Sequence, residues 1–263
     1  MPISDLQNHV LRCIATNRDP KSYLAGATVL HRSANSLRYS QDIDIFHDVA
    51  ESVALCAEKD AITLLSAGFS LKWLLRTPTF YRAVLTIDNQ QMKIEWAHDS
   101  AFRFFPVQRD AWCGFRLHDA DAATNKLLAL AGRAEIRDFV DVMHLQRNYL
   151  SLGALAWAAC GKDLGFTPDF LLDQASRHTA CNQNDLNRLQ LHGPLDVTIL
   201  KHEWLNAVEE ARNLISLLPP EEVGCLYLTP LLKPVTPVPG SESFRKLIRH
   251  RGSVCGAWPT VES

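Results

Sequence analysis

The sequence predicts an α+β fold, with a mixed β-sheet and flanking helices first and a mostly helical C-terminal half after it. Three observations carry this. Short runs with a period of two cluster between Ser22 and Ala97; in Asp42-Ile43-Asp44-Ile45 the isoleucines go to one face and the carboxylates to the other. Stripes with a helical period precede and interrupt these runs, then dominate from Asp119 to Leu218. Apolar residues make up 47% of the 263, ample for a packed core. No run approaches the roughly 18 apolar residues of a membrane span.

Taken in order, Leu6, Val10, Leu11 and Ile14 form an amphipathic helix capped by Ser4. The segment Met1 to Asn17 carries charges and no basic-then-apolar leader. Ser22 to Ala25 reads as a strand and Ala27 to His31 as a short helix, with the Asp-X-Asp strand ending at Phe46. Asp48 to Ala67 is a helix stopped by Gly68. Phe69, Leu71, Trp73 and Leu75 alternate, as do Tyr81, Ala83, Leu85 and Ile87, and Thr77-Pro78 separates the two strands. Asp88-Asn89 turns the chain into a third, Gln91 to Ala97.

Phe102 to Leu117 is aromatic and irregular, a short strand with loops. Asp119 to Ala131, ended by Gly132, and the stripe Ile136, Phe139, Val140 and Met143 are two helices. Arg137 and Asp141 read as an i, i+4 pair on the second. Leu152 to Leu218 reads as a helical bundle with Ile199 to Leu218 its longest member, ended by Pro219-Pro220. Beyond it the chain is rich in Pro and Gly and reads as a loosely ordered tail. Lys233, Arg245, Lys246, Arg249, His250 and Arg251 make that tail basic; a solvated tail and a nucleic-acid or partner contact are both open. The expected division is a catalytic α/β core over 1–118, a helical region completing the site over 119–218 and the tail over 219–263.

The formal charge of −2 provides no global basic field, so nucleic-acid binding would need a local patch. Seven scattered cysteines lack the pairing of zinc ligands or a disulfide framework, which points to reduced thiols in a cytoplasmic protein.

The chemistry concentrates between Leu24 and Phe46. Asp42 and Asp44, at successive outward positions, repel each other unless a cation lies between them, and oxygen ligands at that spacing suit Mg²⁺. A solvated strand edge is the alternative. The apolar run broken at Gly26 before a helix offers backbone N–H groups to a phosphate. Together these describe a site for a metal-bound nucleotide, with Gly26, Thr28 and Ser40 toward phosphate oxygens and Arg38 as a bidentate cation. Glu95 shares the polar face of its strand with Lys93. It is either a third carboxylate, if that strand pairs beside Asp-X-Asp, or an ordinary solvated glutamate; Asp99 is the next candidate.

Leu-Ala-Gly-Ala-Thr-Val-Leu (Leu24 to Leu30) followed by Arg-Tyr-Ser-Gln-Asp-Ile-Asp-Ile-Phe (Arg38 to Phe46) resembles the nucleotidyltransferase superfamily, and within it the AbiEii/AbiGii toxin family. Lys126 to Leu145, with Lys126, Arg133 and Arg137-Asp138-Phe139-Val140-Asp141-Val142, resembles a second block of that family. The similarity covers about residues 22 to 147. Ala27 departs, standing where the family usually has a second glycine or a serine; if that position needs φ > 0, alanine costs about 1 kcal/mol.

The resemblance implies a nucleotidyltransferase-type sheet of the DNA polymerase beta-like kind and NMP transfer from a nucleoside triphosphate to an acceptor, releasing pyrophosphate. It implies Mg²⁺ on Asp42 and Asp44, with Glu95 as third ligand or base, and a nucleotide loop containing Gly26, Ala27 and Thr28. Lys126 is taken as a solvent-reachable cation for the phosphates, with Asp138 orienting it, Arg133 or a group of the second substrate. It further implies tRNA or another macromolecule as acceptor and a cognate antitoxin as partner, with no membrane. A small-molecule acceptor, as in antibiotic-modifying relatives, suits the near-neutral charge. A non-catalytic nucleotide-binding relative has Ala27 as its hint.

Overall fold

The computed structural model describes residues 3–32 and 36–259. The chain divides into two compact units, Met1–Ala122 with Val254–Gly256, and Ala123–Ser253 with Ala257–Ser263.

In the first unit, Ser4 and Gln7 form a capping box at the start of helix α1 (Asp5–Ile14), each side chain accepting from the other's backbone N–H. Strand β1 (Ser22–Ala25), helix α2 (Gly26–Leu30), strand β2 (Asp42–His47) and helix α3 (Ala50–Ser66) follow. Strands β3 (Ser70–Thr77), β4 (Phe80–Ile87) and β5 (Gln90–His98) come next, then β6 (Phe102–Arg103), β7 (Gln108–Asp110) and β8 (Gly114–Arg116).

Seven strands make one sheet in the order β3-β4-β5-β2-β1-β8-β7. It is mixed: β2 runs antiparallel to β1 but parallel to β5, and β1 runs parallel to β8. The segment read as one short strand with loops therefore supplies three strands, one of them extending the sheet beside β1. Strands of two or three residues are too short to display a period. Asp88 and Asn89 both have positive φ, 46° and 61°, as a type I′ turn requires, and the β4–β5 hairpin closes on them.

The core lies on the isoleucine face of β2. Ile43, Ile45, Ile94 and Trp96 pack with Val10 and Ile14 of α1 and Val53, Ala57 and Leu64 of α3, all fully buried. One polar knot crosses this core. Arg18 meets both oxygens of buried Asp60 at 2.5 Å, and the Trp96 indole N–H donates to the same carboxylate at 2.7 Å. Burial still leaves the Asp60 carboxyl above its ordinary range, because desolvation outweighs Arg18 and the donated hydrogen bonds.

Helix α4 (Asp119–Gly132) carries the chain into the second unit. There follow α5 (Ile136–Asn148), α6 (Leu152–Ala159), α7 (Pro168–Arg177), α8 (Gln183–Asn187) and α9 (Val197–Leu217), then β9 (Cys225–Leu228), α10 (Glu242–Arg245) and β10 (Ile248–Arg251). Every residue of α6 is buried, and it packs against α7, α9 and β9.

The expectation of a loose basic tail gives way here. All four residues of β9 are buried and pair antiparallel with β10. Arg249 bonds Glu222 at 2.9 Å and lies over the rings of Phe244 and Tyr227. Lys246 pairs with Glu242, Arg251 donates to the carbonyls of Val223 and Glu221, and His250 is buried. Composition missed this because the short run Cys225–Leu228 gains its order from packing beside Leu218 and, from far back in the chain, Trp157. Among the described residues no helix is long and apolar enough to cross a membrane.

Candidate functional site

β1 is buried at all four positions and ends at Ala25, whose backbone is extended and caps α2 without a side-chain bond. The turn is made by Gly26 at φ = +66°, in the left-handed region. A Cβ built on Gly26 would lie 1.9 Å from Oδ2 of Asp44, so backbone and carboxylate are in direct apposition. Ala27 lies inside α2 and is not among the residues with positive φ. The strain anticipated at Ala27 is therefore absent; the residue that must be glycine is the one before it.

Thr28 and Ser40 face inward. The Thr28 hydroxyl donates to the backbone carbonyl of Asp42 at 2.8 Å, Ser40 Oγ reaches the same carbonyl at 3.1 Å, and the two hydroxyls lie 2.9 Å apart. Both residues are buried. They hold the entry to β2, and a phosphate contact by either hydroxyl would compete with that bond. Arg38 is likewise buried, its Nη1 donating to the Tyr39 carbonyl at 3.1 Å, while Ser36 Oγ donates to the Arg38 carbonyl. The segment from Ser36 to Ser40 is thus knitted to itself and to β2.

β2 alternates as its sequence demands: Ile43, Ile45 and His47 are buried, Asp42, Asp44 and Phe46 half-buried. The neighbouring parallel strand puts Lys93 opposite Asp42 and Glu95 opposite Asp44. Lys93 Nζ stands 3.6 Å from Asp42 Oδ1 and supplies one cation to the acidic face. Glu95 is held by Arg82, with Nε 2.6 Å from Oε1, and the guanidinium lies over the Phe80 ring at 5.0 Å. Asp99 takes a different place: its N–H donates to the carbonyl of His47, the last residue of β2, well along the strand from Asp44. Register therefore sets Glu95, and not Asp99, beside Asp44.

Arg82 is the residue sequence reasoning missed, although a signal existed. A two-residue Asp88-Asn89 hairpin fixes the β4–β5 register, and counting outward from it pairs Arg82 with Glu95.

The donor set fits a hard cation in one specific sense. Mg²⁺ usually binds through one or two carboxylates together with waters and substrate phosphates. Asp42 and Asp44 on one strand face are such a pair. Among the described residues no group of three or more His, Cys, Asp or Glu side chains is gathered as an all-protein metal cage would be.

The second block lies in the other unit. Lys126 of α4 reaches Asp138 Oδ1 at 2.7 Å and Asp141 Oδ2 at 3.1 Å, and Arg133 Nε reaches Asp138 Oδ2 at 2.7 Å. Asp138 thus holds both cations that the sequence offered it. Burial pushes its carboxyl up, but the Lys126 charge and the bonds from Arg133 and Lys126 outweigh this and leave it below the usual carboxylate range. Lys126 is only 7% exposed, which corrects its reading as a solvent-reachable cation. Asp141, read as the i, i+4 partner of Arg137, is engaged with Lys126, and Arg137 stands 3.8 Å from Glu135.

No family model matches the chain, and no curated protein matches it in sequence. Solved structures do resemble it. The protein JHP933 from Helicobacter pylori shares 20% identity over 80% of this chain and 90% of its own, with a TM-score of 0.51. The nucleotidyltransferase toxin MenT4 from Mycobacterium tuberculosis shares 16% identity over 82% of this chain and 83% of its own, with a TM-score of 0.58. At such identities the likeness is one of fold: the chain has the nucleotidyltransferase-type α+β architecture.

Proposed function

We propose that this chain is a nucleotidyltransferase that moves a nucleoside monophosphate from a triphosphate to an acceptor and releases pyrophosphate. The observation that carries the reading is the apposition of the left-handed Gly26 backbone and the Asp44 carboxylate, which joins a phosphate-type turn to an acidic strand. Asp42 and Asp44 would hold Mg²⁺ against the triphosphate. A bound divalent ion supplies charge neutralisation on the phosphoryl and leaving oxygens. The turn at Gly26 sets the backbone directly against the Asp44 carboxylate, and Thr28 and Ser40 hold β2 beside that turn through the Asp42 carbonyl. Glu95, once released by Arg82, would complete the carboxylate set or accept the proton of the acceptor hydroxyl. Roles for Arg38, Lys126 and Arg133 toward phosphates, and for Asp138 in orienting the cations, rest on the family resemblance.

A toxin-type activity is the form we favour, with tRNA or another macromolecule as acceptor and a cognate antitoxin as partner. It is supported by the two AbiEii/AbiGii-like motif blocks and by fold likeness to a nucleotidyltransferase toxin. The non-catalytic alternative stood on strain at Ala27, and no positive φ occurs there.

The test is purified protein with each labelled NTP and Mg²⁺, offered total RNA and a small-molecule extract in parallel. The parent should label one acceptor class, and Asp42→Asn with Asp44→Asn should abolish labelling without unfolding the chain. Absence of transfer by the parent to every acceptor, or equal transfer by the double variant, would falsify the assignment.

A further inference from the structure

Helix α1 carries two stripes. Leu6, Val10, Leu11 and Ile14 are buried in the core, while Asp5, Asn8, His9 and Arg12 recur at i, i+3, i+4 and i+7 along the other side. That polar stripe forms one wall of an open cavity of about 580 Å³, lined also by Ile3, Arg32 and Trp112. The volume falls within the roughly 300–1,000 Å³ of pockets that enclose small ligands. None of these residues belongs to the Gly26, Asp42, Asp44 and Glu95 set.

The walls have a definite chemistry. Trp112 is half-buried, and its indole N–H donates to Asn8 Oδ1 at 3.0 Å, which fixes the ring plane. Arg32 is steadied by Asp119 at 2.7 Å. The His9 ring rests on Phe69 with centroids 5.1 Å apart. Arg12 is exposed and makes no ion pair among the described residues, so its guanidinium stands at the cavity wall with its donors available. Asp5 adds a carboxylate to the wall. Guanidinium groups bind phosphate, an oriented indole stacks a flat ring, and a carboxylate accepts from ribose hydroxyls or an exocyclic amine.

We infer that this cavity binds a nucleotide unit bearing a phosphate, free or as part of a single RNA strand, separately from the triphosphate site. Arg12 and Arg32 take the phosphate, Trp112 stacks the base and Asp5 reads a donor on the sugar or base.

The experiment is calorimetric titration of the full chain in EDTA without NTP, so that binding is read apart from any transfer reaction. The probes are adenosine 5′-monophosphate and a 5′-phosphorylated single-stranded RNA of about eight nucleotides. At least one should bind saturably. Arg12→Glu, at an exposed position, should weaken it about tenfold or more, and Trp112→Leu should do likewise. Lys59→Glu, the same charge reversal at an exposed position of α3, should stay within about twofold of the parent. Binding of RNA alone identifies a strand site; binding of the mononucleotide, with or without RNA, identifies a site for the nucleotide unit itself. Failure of both probes to bind, Arg12→Glu binding like the parent, or Lys59→Glu weakening binding equally would overturn the inference.

Discussion

Gly26 and Asp44 touch across the β1–β2 edge so closely that a single added methyl would overlap the carboxylate, its Cβ 1.9 Å from Oδ2. Glycine is required there twice over, by its φ of +66° and by the space the carboxylate occupies. The acidic strand and the turn before it are therefore one structural unit.

Gly26→Ala should lower stability by about 1–2 kcal/mol from backbone strain alone and should also displace Asp44. Ala27→Gly, one residue later inside α2, should lose only about 0.5–1 kcal/mol from helix propensity. Thermal unfolding combined with labelled-NTP transfer separates the two. A Gly26→Ala protein with parental activity would show that Asp44 can move without consequence.

Arg82 and Glu95 form a half-exposed pair, their side chains 40% and 19% accessible, so Arg82→Ala should change stability by less than about 1 kcal/mol. If Glu95 serves the metal, freeing it should tighten Mg²⁺ binding measured in the presence of a non-hydrolysable triphosphate. Glu95→Gln should loosen it. Identical Mg²⁺ titrations of parent and both variants would return Glu95 to the role of a strand-surface residue.

Lys126 now carries a stability prediction as well as a catalytic one. Lys126→Ala leaves the wholly buried Asp141 without its 3.1 Å partner and should destabilise the chain by about 3–5 kcal/mol. Adding Asp141→Asn should recover part of that loss, because one of the two buried carboxylate charges around Lys126 is removed with it. Urea unfolding of the two single variants and the double variant measures the coupling. If Lys126 also serves the phosphates, transfer by the folded fraction should fall about a hundredfold.

His47 is fully buried, and neither ring nitrogen has a hydrogen-bond partner among the described residues. Burial, aided by the Arg18 charge, lowers its pKa from 6.5 to about 3. Between those values the unfolded chain binds a proton that the folded chain refuses. The contribution is complete above pH 6.5 and is lost as pH falls toward about 3, by up to about 1.4 kcal/mol per pH unit. His47→Leu should keep neutral-pH stability within about 1 kcal/mol, since no hydrogen bond is broken, and flatten the acid limb. Unchanged melting temperatures across pH 4 to 7 relative to the parent, as read by calorimetry, would place the acid sensitivity elsewhere.

The features legible in the sequence are those that neighbouring residues decide. The capped stripe of α1, the alternation that sends Ile43 and Ile45 inward beneath Asp42 and Asp44, and the Asp88-Asn89 turn all follow from backbone geometry within a few residues. The same two-residue turn fixes the Arg82–Glu95 register. Tertiary structure decided the rest. It laid β5 parallel beside β2, opposing Glu95 to Asp44 across a crossover of some forty residues. It turned Thr28 and Ser40 onto a carbonyl, buried Lys126 between two carboxylates and drew Cys225–Leu228 out of a Pro-rich stretch into a packed strand. In each case the partner lies beyond the reach of a local period. Its position depends on loop closure and on which surfaces can be excluded from water together, quantities that belong to the folded chain as a whole.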